Sequence, residues 1–312
     1  MILTPDSLPL SRNIEDYPEG IIIPIDKPYR WTSADVIRKV KYAAIRHFGK
    51  KNLKVGHAGT LDPLATGVLL VCIGKATKLA EELQSHDKEY VAGVTFGATT
   101  PSYDLEKEID RFFPHEHISA EAVSEALPAF IGEQNQVAPL FSAKSVDGVR
   151  AYELARKLYK EGTEQSSELD TAAEQLLRVS RINISELRLL SFAGRNEGLM
   201  DRATRGTEDR VVSNKTNSPA DFCNEQAATA GMGGTTNSAS SRINVTDNSA
   251  LGLPRADIRM ACSKGTYVRA FARDLGEALG SGAHLDSLQR SRSGIFRVEN
   301  ALSVDLVLQK LQ

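Results

Sequence analysis

The sequence predicts an α+β fold built on a mixed, mainly antiparallel central sheet flanked by helices. Three observations carry that expectation. Apolar runs of strand length, GIIIPID (20–26) and GVLLVCI (67–73), intermix with helix-period segments without regular strand–helix–strand alternation. Residues 88–97, KEYVAGVTFG, alternate with Tyr90, Ala92, Val94 and Phe96 on one side, the signature of a half-buried strand. The 312 residues are 41% hydrophobic and 25% charged, enough apolar material for a sizeable core.

The elements follow in order. Residues 1–19 lack apolar periodicity and read as a loose, flexible leader; without a basic n-region or long apolar stretch, they do not read as a signal peptide. A buried strand over 20–28 ends at Pro28. Ser33 is the expected N-cap of a helix over 34–48, whose apolar face is Val36, Ile37, Val40, Ala43, Ala44 and Phe48 and whose basic face is Arg38, Lys39, Lys41 and Arg46; Gly49 stops it. A short strand (52–56), a glycine-rich loop (56–67), a buried strand (67–73) and a helix (76–85) come next. Beyond the strand at 88–97, helices are expected near 119–131 and 150–160, then a polar stretch (161–177) and a strand (181–192). ADIRMACS (256–263) is another strand, leading into a helix over 268–279, a short strand (295–299) and a last helix (303–311). Between Ala193 and Ala250 only eight residues are large and apolar, so this segment predicts a polar, disordered insertion between two strands.

Charge narrows the function classes. The net charge is −2, yet residues 26–54 hold nine Lys/Arg against two acids, and 255–297 hold eight against four. Such a distribution can present one electropositive face to phosphates. No apolar run approaches the length of a membrane span, and three cysteines, Cys72, Cys223 and Cys262, make neither a disulfide framework nor a zinc ribbon. The expectation is a cytoplasmic protein with reduced thiols.

The densest chemical signal is KVGHAGTLDPLATGVLLVCIGKATK (54–78). Asp62 precedes Pro63, which biases its backbone to the extended region and fixes the direction of the carboxylate. That placement suits a nucleophile or general base, and it equally suits a structural Asp-Pro turn. No Walker A loop is present, since Gly67 and Gly74-Lys75 are wrongly spaced and Ala76 follows; His57-Ala58-Gly59 fails the zinc-deaminase pattern. The second signal is CSKGTYVRAFARDLGEALGSGAHLDSLQRSRSG (262–294). An extended chain through 267–269 would project Tyr267 and Arg269 to one side, where the Arg could orient a carboxylate; both also fit as ordinary residues opening a helix.

Together, IPIDKP (23–28), GHAGTLDPLATGVL (56–69), HDKEY (86–90), PLFSAKSVDGVRAYELAR (139–156) and the 262–294 segment resemble the TruB family of tRNA pseudouridine synthases. The resemblance implies a catalytic domain of the pseudouridine synthase fold over 20–312, interrupted at 193–250, that isomerises the T-loop uridine (position 55) of tRNA. By motif position, Asp62 is the catalytic aspartate, Arg269 its partner, and Tyr267 a base contact implicated in proton transfer. Tyr90 is the aromatic that stacks on the flipped uracil and His57 the histidine that enters the RNA loop, while Lys27 and Leu288 fall among pocket residues around the base. The family's chemistry needs neither cofactor nor metal, and it implies a monomer acting on the T-arm of tRNA with no obligate protein partner. Two departures stand out: no C-terminal PUA domain is expected, and both 193–250 and 161–177 are longer than the family pattern. Two other classes compete. A non-catalytic tRNA-binding or folding chaperone would not need Asp62, Tyr267 and Arg269, and a small-molecule nucleotide enzyme would need a phosphate loop.

Overall fold

The computed structural model describes residues 1–7, 9–142, 144–146, 148–161, 165–194 and 243–312. The chain runs β1 (Ile21–Lys27), α1 (Ser33–Phe48), β2 (Val55–Ala58), β3 (Thr66–Ile73), α2 (Ala80–Ser85), β4 (Lys88–Phe96), β5 (Ala98–Thr99), β6 (Arg111–Phe112), α3 (Ala120–Ala126) and β7 (Gly132–Gln136). It continues through β8 (Ser145–Val146), β9 (Val149–Arg150), α4 (Ala151–Lys160), α5 (Ser166–Leu176), β10 (Ser180–Ala193), β11 (Arg255–Cys262), α6 (Val268–Ala278), β12 (Ala283–Ser293), β13 (Phe296–Arg297) and α7 (Val304–Lys310).

The central sheet has the order β1-β3-β12-β4-β11-β10-β7, with β2 on β3 and β13 on β12. Every pairing is antiparallel except β12 with β3, which is parallel at Gln289↔Thr66 and Arg290↔Gly67. The α+β, mainly antiparallel expectation holds. β3 reads as a continuous apolar run because it is covered on both faces. Leu69, Val71 and Ile73 enter the main core with Ile21, Ile23, Val36 and Val40, whereas Val68, Leu70 and Cys72 pack with Ala58, Leu83 and Phe296. α6 lays Phe271, Ala272 and Leu275 on the main core, and Phe130 meets Phe271 edge-on at 5.5 Å.

Four expectations need correcting. The leader is folded onto the edge of the sheet: Leu3 is fully buried, and backbone bonds of 2.9 Å tie Leu3 N to Ile22 O and Ile22 N to Met1 O. Its sparse apolar residues have no period because they serve as single anchors. The N-cap of α1 is Thr32, not Ser33. Thr32 and Asp35 form a reciprocal capping box that satisfies two backbone donors, which Ser33, followed three residues on by Val36, has no carboxylate to do. The stretch 161–177 contains the helix α5, which buries Leu169 and Ala173, with Leu177 buried just past its end, in a second core beside Leu140, Phe141 and Ala155. The core of the expected insertion, 195–242, lies outside the described residues. Its margins belong to the folded body: Ala193 pairs with Arg255, Thr246 N donates to Leu105 O at 2.8 Å, and Arg30 Nη2 donates to Ile243 O at 2.8 Å.

β12, an interior strand of the sheet between β3 and β4, has no counterpart among the sequence expectations. Only Ala283, Leu285 and Leu288 are apolar along it, too few for an alternation to register.

Candidate catalytic cleft

The site starts at the junction of β3 and β12. Gly67 adopts φ +96°, and a Cβ there would lie 2.3 Å from Arg290 O, so only glycine lets the two strands meet. Just before Gly67 the chain forms the loop that carries Asp62. Three buried groups hold that loop from beneath. Ser33 Oγ accepts from Leu61 N at 3.0 Å and donates to Leu61 O at 3.2 Å. Arg290, buried, donates to Val68 O (2.7 Å) and Gly59 O (3.2 Å). Lys27, with no exposed surface, donates to Trp31 O (2.6 Å), Pro28 O (2.9 Å) and Pro63 O (3.1 Å). Burial pushes the Lys27 ammonium down to about 7, against the opposing pull of Asp62 and Asp26.

Asp62 meets Arg269 across 207 residues of sequence: Arg269 Nε donates to Asp62 Oδ2 at 2.9 Å. The carboxylate is 39% exposed, whereas the guanidinium is 6% exposed. Arg269 also donates through Nη1 to Ser102 O (3.0 Å) and through Nη2 to Phe141 O (2.8 Å), and Nε lies 3.6 Å from Asp104 Oδ2. Burial works against its charge, but Asp62 and Asp104 outweigh that and raise its pKa above the ordinary arginine value. Asp104 is buried, which raises its own pKa against the pull of Arg269, and its Oδ1 accepts from Ser102 Oγ (2.6 Å) and Glu106 N (2.9 Å). A planar guanidinium with this many fixed acceptors has one orientation, and it imposes one on the Asp62 carboxylate.

Tyr267 is the last extended residue before α6, at φ −99° and ψ 109°; the helix begins at Val268, where the helix expected over 268–279 begins, so the chain is not extended through 269. Arg269, on the first turn of the helix, reaches Asp62, whereas Tyr267 packs against the small core around Phe141 and feels the charges of Asp62 and Arg269 from there. Gln136 clamps the Tyr267 backbone, accepting from its N–H at 2.8 Å and donating to its C=O at 3.2 Å. Burial raises the pKa of the Tyr267 hydroxyl, and the charge of Asp62 adds to that rise.

A narrow cleft opens on Asp62, lined by Arg269, Asp104 and Asp286 and by Leu64, Leu285 and Leu288. The structure thus brings Asp62, Arg269 and Leu288 to one cleft. Lys27 sits under the loop with its protons committed to backbone carbonyls, which makes it a support for the loop and not a lining group. Tyr90 is buried on β4 within the main core, and the pKa of its hydroxyl is raised by burial. His57 is half-buried on β2 opposite Val71, and burial, with help from Arg290, lowers its pKa.

Sequence reasoning passes over Asp104, Arg290, Gln136 and Ser33. Asp104 lies in an acid-rich section that reads as solvated surface, and Arg290 in a run that looks like basic surface. Only Ser33 carries a local signal, and that signal points to the wrong role. A larger groove lies away from this chemistry, between α1 and α7, lined by Arg38, Lys39, Tyr42, Arg46, Leu308 and Leu311.

Residues 46–197 match the N-terminal domain model of the TruB family of pseudouridylate synthases. The chain is 43% identical over 290 residues to a tRNA pseudouridine synthase B of Phocaeicola vulgatus, covering 93% of this chain and 92% of that protein. It is 42% identical to a protein of the same name from Bacteroides fragilis, covering 92% of each. Among solved structures, a Cbf5-Nop10-Gar1 complex shares the fold at TM-score 0.52 and 21% identity, covering 99% of this chain and 63% of that one.

Proposed function

The chain belongs to the TruB family of pseudouridine synthases, and on that premise we propose that it isomerises the T-loop uridine (position 55) of tRNA to pseudouridine. It is an isomerase, a tRNA pseudouridine synthase. The observation that carries the reading is the Asp62–Arg269 pair, a half-open carboxylate aimed into a cleft by a buried, fully anchored guanidinium.

The reaction breaks the N1–C1′ bond, turns the uracil and forms a C5–C1′ bond. C5 loses a proton and N1 ends with one, so no atom enters or leaves and no redox partner is needed. A uridine in a folded RNA loop must first be extruded, which costs a few kcal/mol of stacking and pairing. In this reading Leu64, Leu285 and Leu288 receive part of the base, Tyr90 is the aromatic that stacks on the flipped uracil, and His57 enters the RNA loop as the base leaves it. Asp62 acts on the sugar or the base, as nucleophile at C1′ or C6 or as a general base, with Arg269 fixing its rotation. Tyr267, within the electrostatic reach of both, moves a proton during the step. Lys27 keeps the loop in place. The exposed basic face of α1 takes phosphates of the T-arm, and the enzyme works as a cytoplasmic monomer on tRNA alone. Among the described residues no helix is long and apolar enough to cross a membrane.

The test is to incubate the purified protein with an unmodified tRNA transcript and map pseudouridine along it. Conversion at position 55 alone is the expected result. Tight binding with no conversion under single-turnover conditions would leave only a chaperone role.

A further inference from the structure

α5 is the helix that the composition of 161–177 did not announce, and it is docked directly behind the cleft. Its first residue, Ser166, is buried; its N–H donates to Asp110 Oδ2, and its hydroxyl bonds Thr99 Oγ1 at 3.2 Å. One turn on, Asp170 accepts from the hydroxyl of Tyr103 and pairs with Arg273 Nη1 at 3.2 Å, while Arg273 Nη2 donates to Val137 O at 3.2 Å. The Arg273 guanidinium also lies 5.8 Å from the Tyr103 ring centre, so one tyrosine is held at both its hydroxyl and its face.

Tyr103 is where this matters. It is buried and has φ +56°, a left-handed conformation that costs a bulky residue on the order of 1–3 kcal/mol and persists only where its surroundings impose it. The residues on either side of it are the two that cradle Arg269: Ser102 offers its carbonyl and Asp104 its carboxylate. Leu169 and Ala173 of α5 pack in the same small core as Phe141, whose carbonyl is a third acceptor for Arg269, and Tyr267 packs against that core too.

We propose that α5 is a brace for the catalytic pair, in which Asp170 and Arg273, acting through Tyr103, are positioning residues that fix the Ser102–Asp104 turn and with it Arg269 and Asp62. The proposal rests on the reading of Asp62 and Arg269 given above. None of the three residues lines the cleft, so their effect on the chemistry passes through geometry: a displacement of Arg269 by an ångström carries to the carboxylate it holds.

Three variants test it: Tyr103→Phe, which removes only the hydroxyl; Asp170→Asn, which keeps an acceptor but removes the charge facing Arg273; and the two combined. Glu168→Gln, on the exposed face of α5, is the control. Melting temperature, tRNA dissociation constant and single-turnover rate of pseudouridine formation are measured for each. The expected result is a rate lower by about tenfold or more in each single variant, with tRNA affinity within twofold of wild type and the control unchanged. The double variant should be no slower than the worse single, since both act along one path. Unchanged rates in folded single variants, rate losses that merely track lost tRNA binding, or fully additive losses would overturn the brace. Should Asp170→Asn fail to fold, Tyr103→Phe decides the matter alone. Wild-type protein that forms no pseudouridine would instead defeat the functional reading itself.

Discussion

At Asp62, shape and charge can be separated by one substitution. Asp62→Asn keeps the side chain's outline and its ability to accept from Arg269 Nε, but removes the anion. It is expected to fold and bind tRNA while pseudouridine formation falls by at least about four orders of magnitude, a loss on the scale of removing a nucleophile. Tyr267→Phe should likewise bind tRNA normally and lose turnover if its hydroxyl carries a proton. Sustained multiple turnover by Asp62→Asn, free of wild-type enzyme, would sink the catalytic assignment. Lys27 makes a different kind of prediction. Its pKa falls from 10.5 to about 7 on folding, so between those values the folded chain binds fewer protons than the unfolded one. Stability contributed at this site therefore rises with pH from about 7 upward and is flat below it. Lys27→Met lacks that dependence. The melting temperature of wild type minus that of Lys27→Met should increase from about pH 6.5 to 9; a decrease would contradict the buried, depressed ammonium.

At the scale of elements, α1 joins two tasks. Its N-terminal end is stapled to the catalytic loop by Ser33 and Leu61, and along its exposed face Arg38, Lys39, Lys41 and Arg46 lead away from the cleft over about 12 Å, at 1.5 Å per residue. Lys39 Nζ lies 4.8 Å from the centre of the Trp31 ring, which orients one of these charges towards the loop end of the helix. If an RNA stem runs along this face, log affinity against log salt should have a steep negative slope. Lys39→Gln and Lys41→Gln should each reduce that slope by about one for every phosphate the variant no longer neutralises, with single-turnover rate at saturating tRNA unchanged. A slope indifferent to both substitutions would place the RNA elsewhere. β12 shows the opposite arrangement: some of its polar side chains are machinery and not surface, with Arg290 under the loop and Asp286 bonded to Arg255 Nε at 2.5 Å, while its Leu288 lines the cleft.

At the scale of the whole molecule, the sheet order collects residues from distant parts of the chain at one edge of β3. The parallel contact of β12 with β3 sets the floor, the first turn of α6 supplies Arg269, and the turn at 102–104 closes the far side. The chain returning at 243–250 also reaches this region, since Thr246 N bonds Leu105 O and Leu105 lines the cleft. The segment to shorten is therefore narrower than composition suggests. Replacing 195–242 with a flexible linker retains these bonds, whereas replacing 195–250 removes them. The second variant should melt at a lower temperature than the first, and equal melting temperatures would show that the bonds made by 243–250 add nothing.

Sequence alone determined what local periodicity and local chemistry encode. The double-sided apolar run of β3, the amphipathic α1, the strands at 88–96 and 255–262, and an aspartate pinned by Pro63 all follow from neighbours within a few residues. Tyr267 and Arg269 are visible there as residues opening a helix, and the family resemblance supplies their expected roles. Tertiary structure alone decided what depends on partners far along the chain. β12 is interior although its sequence is polar, because its buried Arg290 finds backbone carbonyls more than 200 residues away in sequence. Asp104 is a partner of Arg269 and not a surface acid, since folding removes it from water beside a guanidinium. α5 and the leader bury too few apolar residues to announce themselves, and are held instead by single anchors such as Leu169, Asp170 and Leu3. A polar side chain in isolation is best satisfied by water, so its sequence reads as surface; only when the fold brings a matched donor or acceptor does burial become favourable, and no window of neighbouring residues contains that partner.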